Sequence, residues 1–143
     1  MGAITQGDAD APRLRDTAVM SDWTPEELTV ITGTEEVEVT PTDTDGAPLQ
    51  SVVMWCVTNG SDVFVRSVKG RHGRWWRRAT KTGRGTFTAG AVTREVRFEP
   101  VNEIQNQAVT DAYNHKYASQ PDEFRSPMVE GESLGATLRV VPA

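Results

Sequence analysis

The run LQSVVMWCV, Leu49 to Val57, is apolar at odd and even positions alike. A strand with two apolar faces has to be covered on both, so this segment predicts a central, doubly covered strand. The turn signal NGSD, Asn59 to Asp62, follows it, and DVFVRSV continues as an antiparallel partner. Around this hairpin the chain supplies further strand patterns. EEVEVTPTD alternates apolar and polar residues and is stopped by the turn residues of TDTDGAP. GTFTAGAVTREVRFEP reads as a second hairpin turning at Ala89, Gly90 and Ala91, with Val92, Val96 and Phe98 on one face. Arg94 falls in phase with that apolar face, as a pocket-lining residue or as the sign of a bulge that shifts the register. ATLRVVP is a last strand.

Two segments have helical period. Thr24 can cap a helix from Pro25 to Ile31, with Glu27 returning the bond. From Val101 to Tyr117, Ile104, Ala108, Val109, Ala112 and Tyr113 form one stripe. A loop rich in Pro, Asp, Ser and Gly separates that helix from the last strand. Five or six antiparallel strands with a late long helix predict a mainly β, α+β fold, a small barrel with helices packed outside it.

The length of 143 residues suits one domain, at 22–143, preceded by a disordered acidic leader at 1–21. Met20 would make an equally sensible start. The first twenty residues carry acids and no continuous apolar run, so they do not read as a secretory signal, and Gln6 breaks the myristoylation pattern. With no apolar run long enough for a bilayer, a cytoplasmic protein without a membrane partner is expected. Cys56 is the single cysteine, which excludes an internal disulfide and a sulfur-only metal site and, within VVMWCV, predicts a buried, inert thiol. His72 and His115 stand in no metal-ligand spacing and read as solvent or hydrogen-bonding residues.

The formal net charge of -5 hides an uneven distribution. Residues 64–97 hold ten bases against the lone acid Glu95, whereas residues 1–62 hold twelve acids and two bases. The positive charge concentrates in RSVKGRHGRWWRRATK, Arg66 to Lys81. A strand delivers Arg66 and Ser67, Gly70 and Gly73 let the backbone turn, and GRWWRRATK can form a helix of about two turns. Strand end, glycine loop and helix start together make an anion site, to which Lys69 adds a further donor and Trp75 and Trp76 a planar wall. A merely solvated basic face is the competing reading. The glycine spacing matches no Walker A or dinucleotide fingerprint. Basic residues beside paired tryptophans also suggest single-stranded nucleic acid, but the acidic remainder and the clustering of aromatics at one spot argue against it as a partner.

The order of these parts resembles a known pattern. The residues WTPEEL, then VVMWCVTNGSDVFVRSVKGRHGRWWRRA, the GTFTAGAVTREVRF hairpin, AYNHKYA and the terminal TLRVVP look like a bacterial family of unknown function similar to the FMN-binding split barrels, which include the pyridoxamine phosphate oxidases and deazaflavin-dependent nitroreductases. The likeness covers about residues 22–142. It implies a six-stranded antiparallel split β-barrel that forms a homodimer, with FMN or a deazaflavin in a groove between subunits and hydride chemistry on a small organic substrate. The cofactor-binding candidates carried over are Arg66, Ser67 and Lys69, with Trp75, Trp76, Arg77 and Arg78 on or behind the helix. Tyr113, Lys116 and Tyr117 match the family's helix end, in packing and dimer contact. Where many flavin barrels carry a base on the strand before this hairpin, this chain has Gln50 and Ser51, which favours as alternative a repurposed barrel binding another anionic small molecule. The resemblance requires no catalytic acid or base from the protein, since the flavin carries the hydride chemistry.

Overall fold

The computed structural model describes residues 22–143; the expected leader lies outside them. Helix α1 spans Pro25–Gly33, and strands β1 (Glu36–Pro41), β2 (Val52–Asn59) and β3 (Asp62–Arg66) follow. A 3-10 turn at Gly70–His72 leads into helix α2 (Arg74–Thr82), strands β4 (Arg84–Ala89) and β5 (Val92–Pro100), helices α3 (Glu103–Lys116) and α4 (Asp122–Val129), and strand β6 (Thr137–Pro142). The six strands close into a barrel in the order β1-β2-β3-β6-β5-β4, every neighbouring pair antiparallel. The split-barrel expectation is met. β6, latest of the strands in sequence, fills the space between β3 and β5.

Alternation decides which side chains go inside. Val37 and Val39 of β1, Val63 and Val65 of β3, Phe87 and Ala89 of β4, Val96 and Phe98 of β5, and Leu138 and Val140 of β6 are all buried in one core with Cys56. Full burial of a Val, Leu or Phe side chain stabilises by about 1.5–3 kcal/mol, so this core is the main cohesive element. Trp23 and α1 stop one end. The indole donates to the Val140 carbonyl at 3.0 Å and meets Phe87 edge-on, with ring centroids 5.5 Å apart. The expected capping box is present, Glu27 N donating to Thr24 Oγ1 and Thr24 N to Glu27 Oε1.

Arg94 follows neither expectation. The β4–β5 register runs unbroken through Phe87↔Arg94, so no bulge displaces it. Its guanidinium reaches the Glu27 carboxylate at 2.9 and 3.0 Å and lies over the Trp23 ring. Arg94 therefore plugs the barrel end, where an ion pair can replace an apolar side chain because the site is only partly dry.

A second cluster lies outside the barrel wall, where α3 and α4 cover β2 and β3 through Val57, Phe64, Val109, Tyr113, Tyr117 and Met128. Three expectations change here. Double coverage of the central strand holds at Val57, whereas Val53, on the same outer face, is 60% exposed. The helical stripe is buried at Val109 and Tyr113, while Ile104 at its start is 83% exposed. The segment read as a loop contains α4, with Pro127 inside it. Arg125 holds that helix start by donating to the Ala118 carbonyl and the Asp122 carboxylate. Among the described residues no helix is long and apolar enough to cross a membrane.

Candidate functional site

β3 ends at Arg66, and the chain then reverses within a few residues. Gly70 has φ of +64°, and a Cβ there would come within 2.7 Å of Glu132 Cβ and 2.9 Å of its carbonyl oxygen. Gly73 lies so close over Ser67 that a Cβ would sit 2.2 Å from Ser67 Oγ. Gly70 admits no side chain, Gly73 packs directly on Ser67, and the tight double turn leads into α2, whose Trp75, Trp76 and Ala79 pack against the barrel core.

Between these elements runs a groove of about 920 Å³. Val52, Met54 and Trp55 of β2 line one side, Ser67, Val68 and Lys69 of the loop its end, and Arg74, Trp75, Arg77 and Arg78 of α2 the other side. Arg74 and Arg77 or Arg78 are three and four residues apart, so their side chains share one helix face. No acid stands in the first turn of α2. Cations at the positive end of a helix dipole repel it, and ordinary sequences place Asp or Glu there. Among the described residues none of Lys69, Arg74, Arg77 and Arg78 forms an ion pair. Glu35, Glu36 and Gln120 line the groove as well, so it has an acidic portion.

Ser67, Lys69, Trp75, Arg77 and Arg78 are thus brought together as expected, with Arg74 added by helical spacing. Arg66 touches the groove but is 1% exposed, and its donors are used inside the protein. Nε donates to Thr137 Oγ1 at 2.7 Å, Nη1 to the Met128 carbonyl at 2.9 Å, and Nη2 to the Asn106 carbonyl, Asn106 Oδ1 and Thr110 Oγ1 at 2.7–2.9 Å. Burial pulls its pKa down, with Tyr113 opposing, yet a guanidinium keeps its charge. Arg66 is a clamp between β3, α3, α4 and β6, and most of the guanidinium from which a phosphate contact was expected is committed to acceptors of the protein itself. Trp76 also leaves the expected group. It lines a separate cavity of about 580 Å³ behind α2, under Arg71, and its buried Nε1 has no partner.

Tyr113 and Tyr117 pack as expected, but against this chain's own strands. The Tyr117 hydroxyl donates to the Glu35 carbonyl at 2.6 Å and accepts from Cys56 N at 3.2 Å. Burial raises the pKa of both tyrosines, which stay protonated. Being nearly inaccessible, they offer little surface for the dimer contact expected of them. Lys116 donates to the carbonyls of Cys56 at 2.9 Å and Ile31 at 3.3 Å, and burial lowers its pKa. Cys56 is buried as expected and its thiol is pushed up to about 11 by burial, with Lys116 opposing.

Trp55 was missed as a site residue. Its indole lies flat on Tyr117, ring centroids 4.0 Å apart and planes 4° apart, while the same residue lines the groove. Its membership of an apolar strand run concealed it; the outward parity it shares with Val53 was the available signal.

Comparison with known proteins places this geometry among relatives. The family described as "Uncharacterized protein conserved in bacteria (DUF2255)" matches residues 27–140. No curated protein matches. Among solved structures, the heme storage protein HutZ from Vibrio cholerae is similar at 12% identity and TM-score 0.55, covering 83% of this chain and 89% of that one. A Listeria innocua protein assigned as a pyridoxamine 5'-phosphate oxidase aligns at 9% identity and TM-score 0.54, covering 82% and 90%. An F420 reductase aligns at 14% identity and TM-score 0.50, covering 80% and 89%. At these identities the likeness is one of fold.

Proposed function

We propose that this chain, which belongs to the bacterial DUF2255 family, is a flavin- or deazaflavin-binding oxidoreductase acting on a small organic substrate. The observation that carries the reading is the cluster of Lys69, Arg74, Arg77 and Arg78 beside one groove, at the start of a helix that has no acid in its first turn. Four cations held together repel one another, and an anion at the helix start relieves that repulsion while receiving dipole and charge-assisted hydrogen bonds. The donor set therefore fits the phosphate of FMN or a deazaflavin. The outward apolar face of β2 at Val53 and Trp55 fits a planar ring beside it.

The flavin, when bound, supplies the hydride chemistry, and the protein's part is to orient it and exclude water. Val53, Val68 and Phe124 border the same groove and are all strongly exposed. Such an apolar rim suits coverage by a second copy of the chain, which would complete the groove as a homodimer interface. The fold shared with an F420 reductase and a pyridoxamine phosphate oxidase-like protein supports the reading.

One observation favours a second reading, a repurposed barrel holding another anionic small molecule. The cations of the cluster lie on α2 and the loop before it, and β2 is preceded by Gln50 and Ser51. The shared fold of a heme storage protein is in keeping with it. Titration with FMN and with a deazaflavin, followed by absorbance and tryptophan quenching beside a light-scattering mass, separates the two. Saturable binding by a dimer supports the first. A dimer that binds neither, but is stabilised in thermal shift by a non-flavin anion, supports the second.

A further inference from the structure

We infer that Trp55 and Glu36 form a ring-recognition end of the groove, Trp55 carrying the flat face of an aromatic ring and Glu36 accepting a hydrogen bond from a donor on the ring's edge. The inference rests on the anion-corner reading above and adds to it a ligand class: a planar ring with an N–H edge, joined to an anionic tail.

Register sets the pair. In the antiparallel β1–β2 ladder Glu36 stands directly opposite Trp55, and residues opposite each other project from the same face. That face is the outside of the barrel, since the next residues along, Val37 and Cys56, are buried in the core. Both Trp55 and Glu36 line the groove that holds the cationic cluster.

Trp55 is also held still. One face of its indole is backed by Tyr117, whose hydroxyl is anchored to the Glu35 carbonyl and the Cys56 amide. Trp55 is partly buried against the outer cluster, and its remaining surface lines the groove with a rigid partner behind it. A rigid aromatic surface loses little entropy when a ring settles on it. Of the two neighbouring acids, Glu35 receives the Gln120 amide. Glu36 has no partner among the described residues, leaving its carboxylate available to a donor. The cations and the carboxylate then fix the direction in which the ligand lies, as opposite charges at two parts of one groove do.

The test compares binding of FMN and of riboflavin, which lacks the phosphate, to the full chain and to Trp55→Leu, Trp55→Phe and Glu36→Gln, each first shown folded by circular dichroism. Trp55→Leu is expected to weaken both flavins by about tenfold, Trp55→Phe to retain most of the affinity, and Glu36→Gln to weaken both by about fivefold. Unchanged binding of both flavins by Trp55→Leu and Glu36→Gln overturns the inference and leaves the cationic corner standing. Equal wild-type affinity for FMN and riboflavin, with Trp55→Leu still impaired, supports the inference and removes the corner's role. Absence of saturable binding of either flavin overturns both. If Trp55→Leu does not fold, Glu36→Gln decides alone: full affinity there overturns the proposal.

Discussion

Arg66 donates from a single terminal nitrogen to both the backbone carbonyl of Asn106, at 2.9 Å, and its side-chain oxygen, at 2.8 Å. A strand end thereby grips a helix far along the chain, and five acceptor atoms on four residues depend on one guanidinium. Replacing Arg66 with Met keeps the apolar stem and strands those acceptors in a dry site. Urea unfolding should show a loss of about 3–5 kcal/mol. Arg66→Lys should recover only part of it, since an ammonium cannot reproduce the planar fork. A loss below about 1 kcal/mol in Arg66→Met would contradict the clamp.

The groove cations should behave oppositely. Arg77→Ala combined with Arg78→Ala should leave stability within about 0.5 kcal/mol, or raise it slightly by relieving repulsion. FMN affinity should fall at least tenfold while riboflavin affinity holds, and raising salt should weaken FMN binding to the wild type more than to the variant. A calorimetric titration at two ionic strengths measures both.

Glu27 links stability to pH. Burial by itself raises its carboxyl pKa, but the Thr24 amide and the Arg94 guanidinium outweigh burial and hold the carboxyl below its ordinary range. A folded value below the unfolded one stabilises the protein above about pH 4.3 and loses that contribution as pH falls through the lowered value. Wild type should therefore exceed Glu27→Gln by about 1 kcal/mol at neutral pH, and the gap should close as the solution is acidified. A gap that is constant down to pH 3 would rule this linkage out.

Cys56 should be silent in the native state. With the thiol buried and pushed up to about 11, labelling by a disulfide reagent at pH 8 should proceed at the rate of unfolding and reach one thiol per chain only after denaturant is added. Rapid native labelling would show that β2 opens locally.

The hairpins, the α1 cap and the inward-facing residues of the barrel were legible because each depends on neighbours within a few positions. Asn59 and Asp62 do face each other across the two-residue turn, and Ala89 pairs with Val92. Arg66 and Arg94 were not legible, because what a buried arginine does depends on residues that sequence order keeps apart: Glu27 for one, and Asn106, Thr110, Met128 and Thr137 for the other. Helix α4 was obscured by Pro121, Ser126 and Pro127, whose local preferences are overridden by Met128 packing beneath α3. The cationic corner was readable as a segment, but not which of its arginines would be free, and Trp55 was hidden because an outward tryptophan in an apolar strand looks like any other core residue.

The position of β6 between β3 and β5 carries a consequence for how the molecule comes into being. A growing chain can pair β1, β2 and β3, and later add β4 and β5, yet it retains two raw sheet edges until the segment around Thr137–Pro142 has left the ribosome. The same late segment brings Thr137 to Arg66, so the dry clamp around this cation is completed only then. Closure therefore comes as a single late event joining distant parts of the chain, which makes folding slow and exposes the nascent protein to edge-to-edge association until the ring shuts.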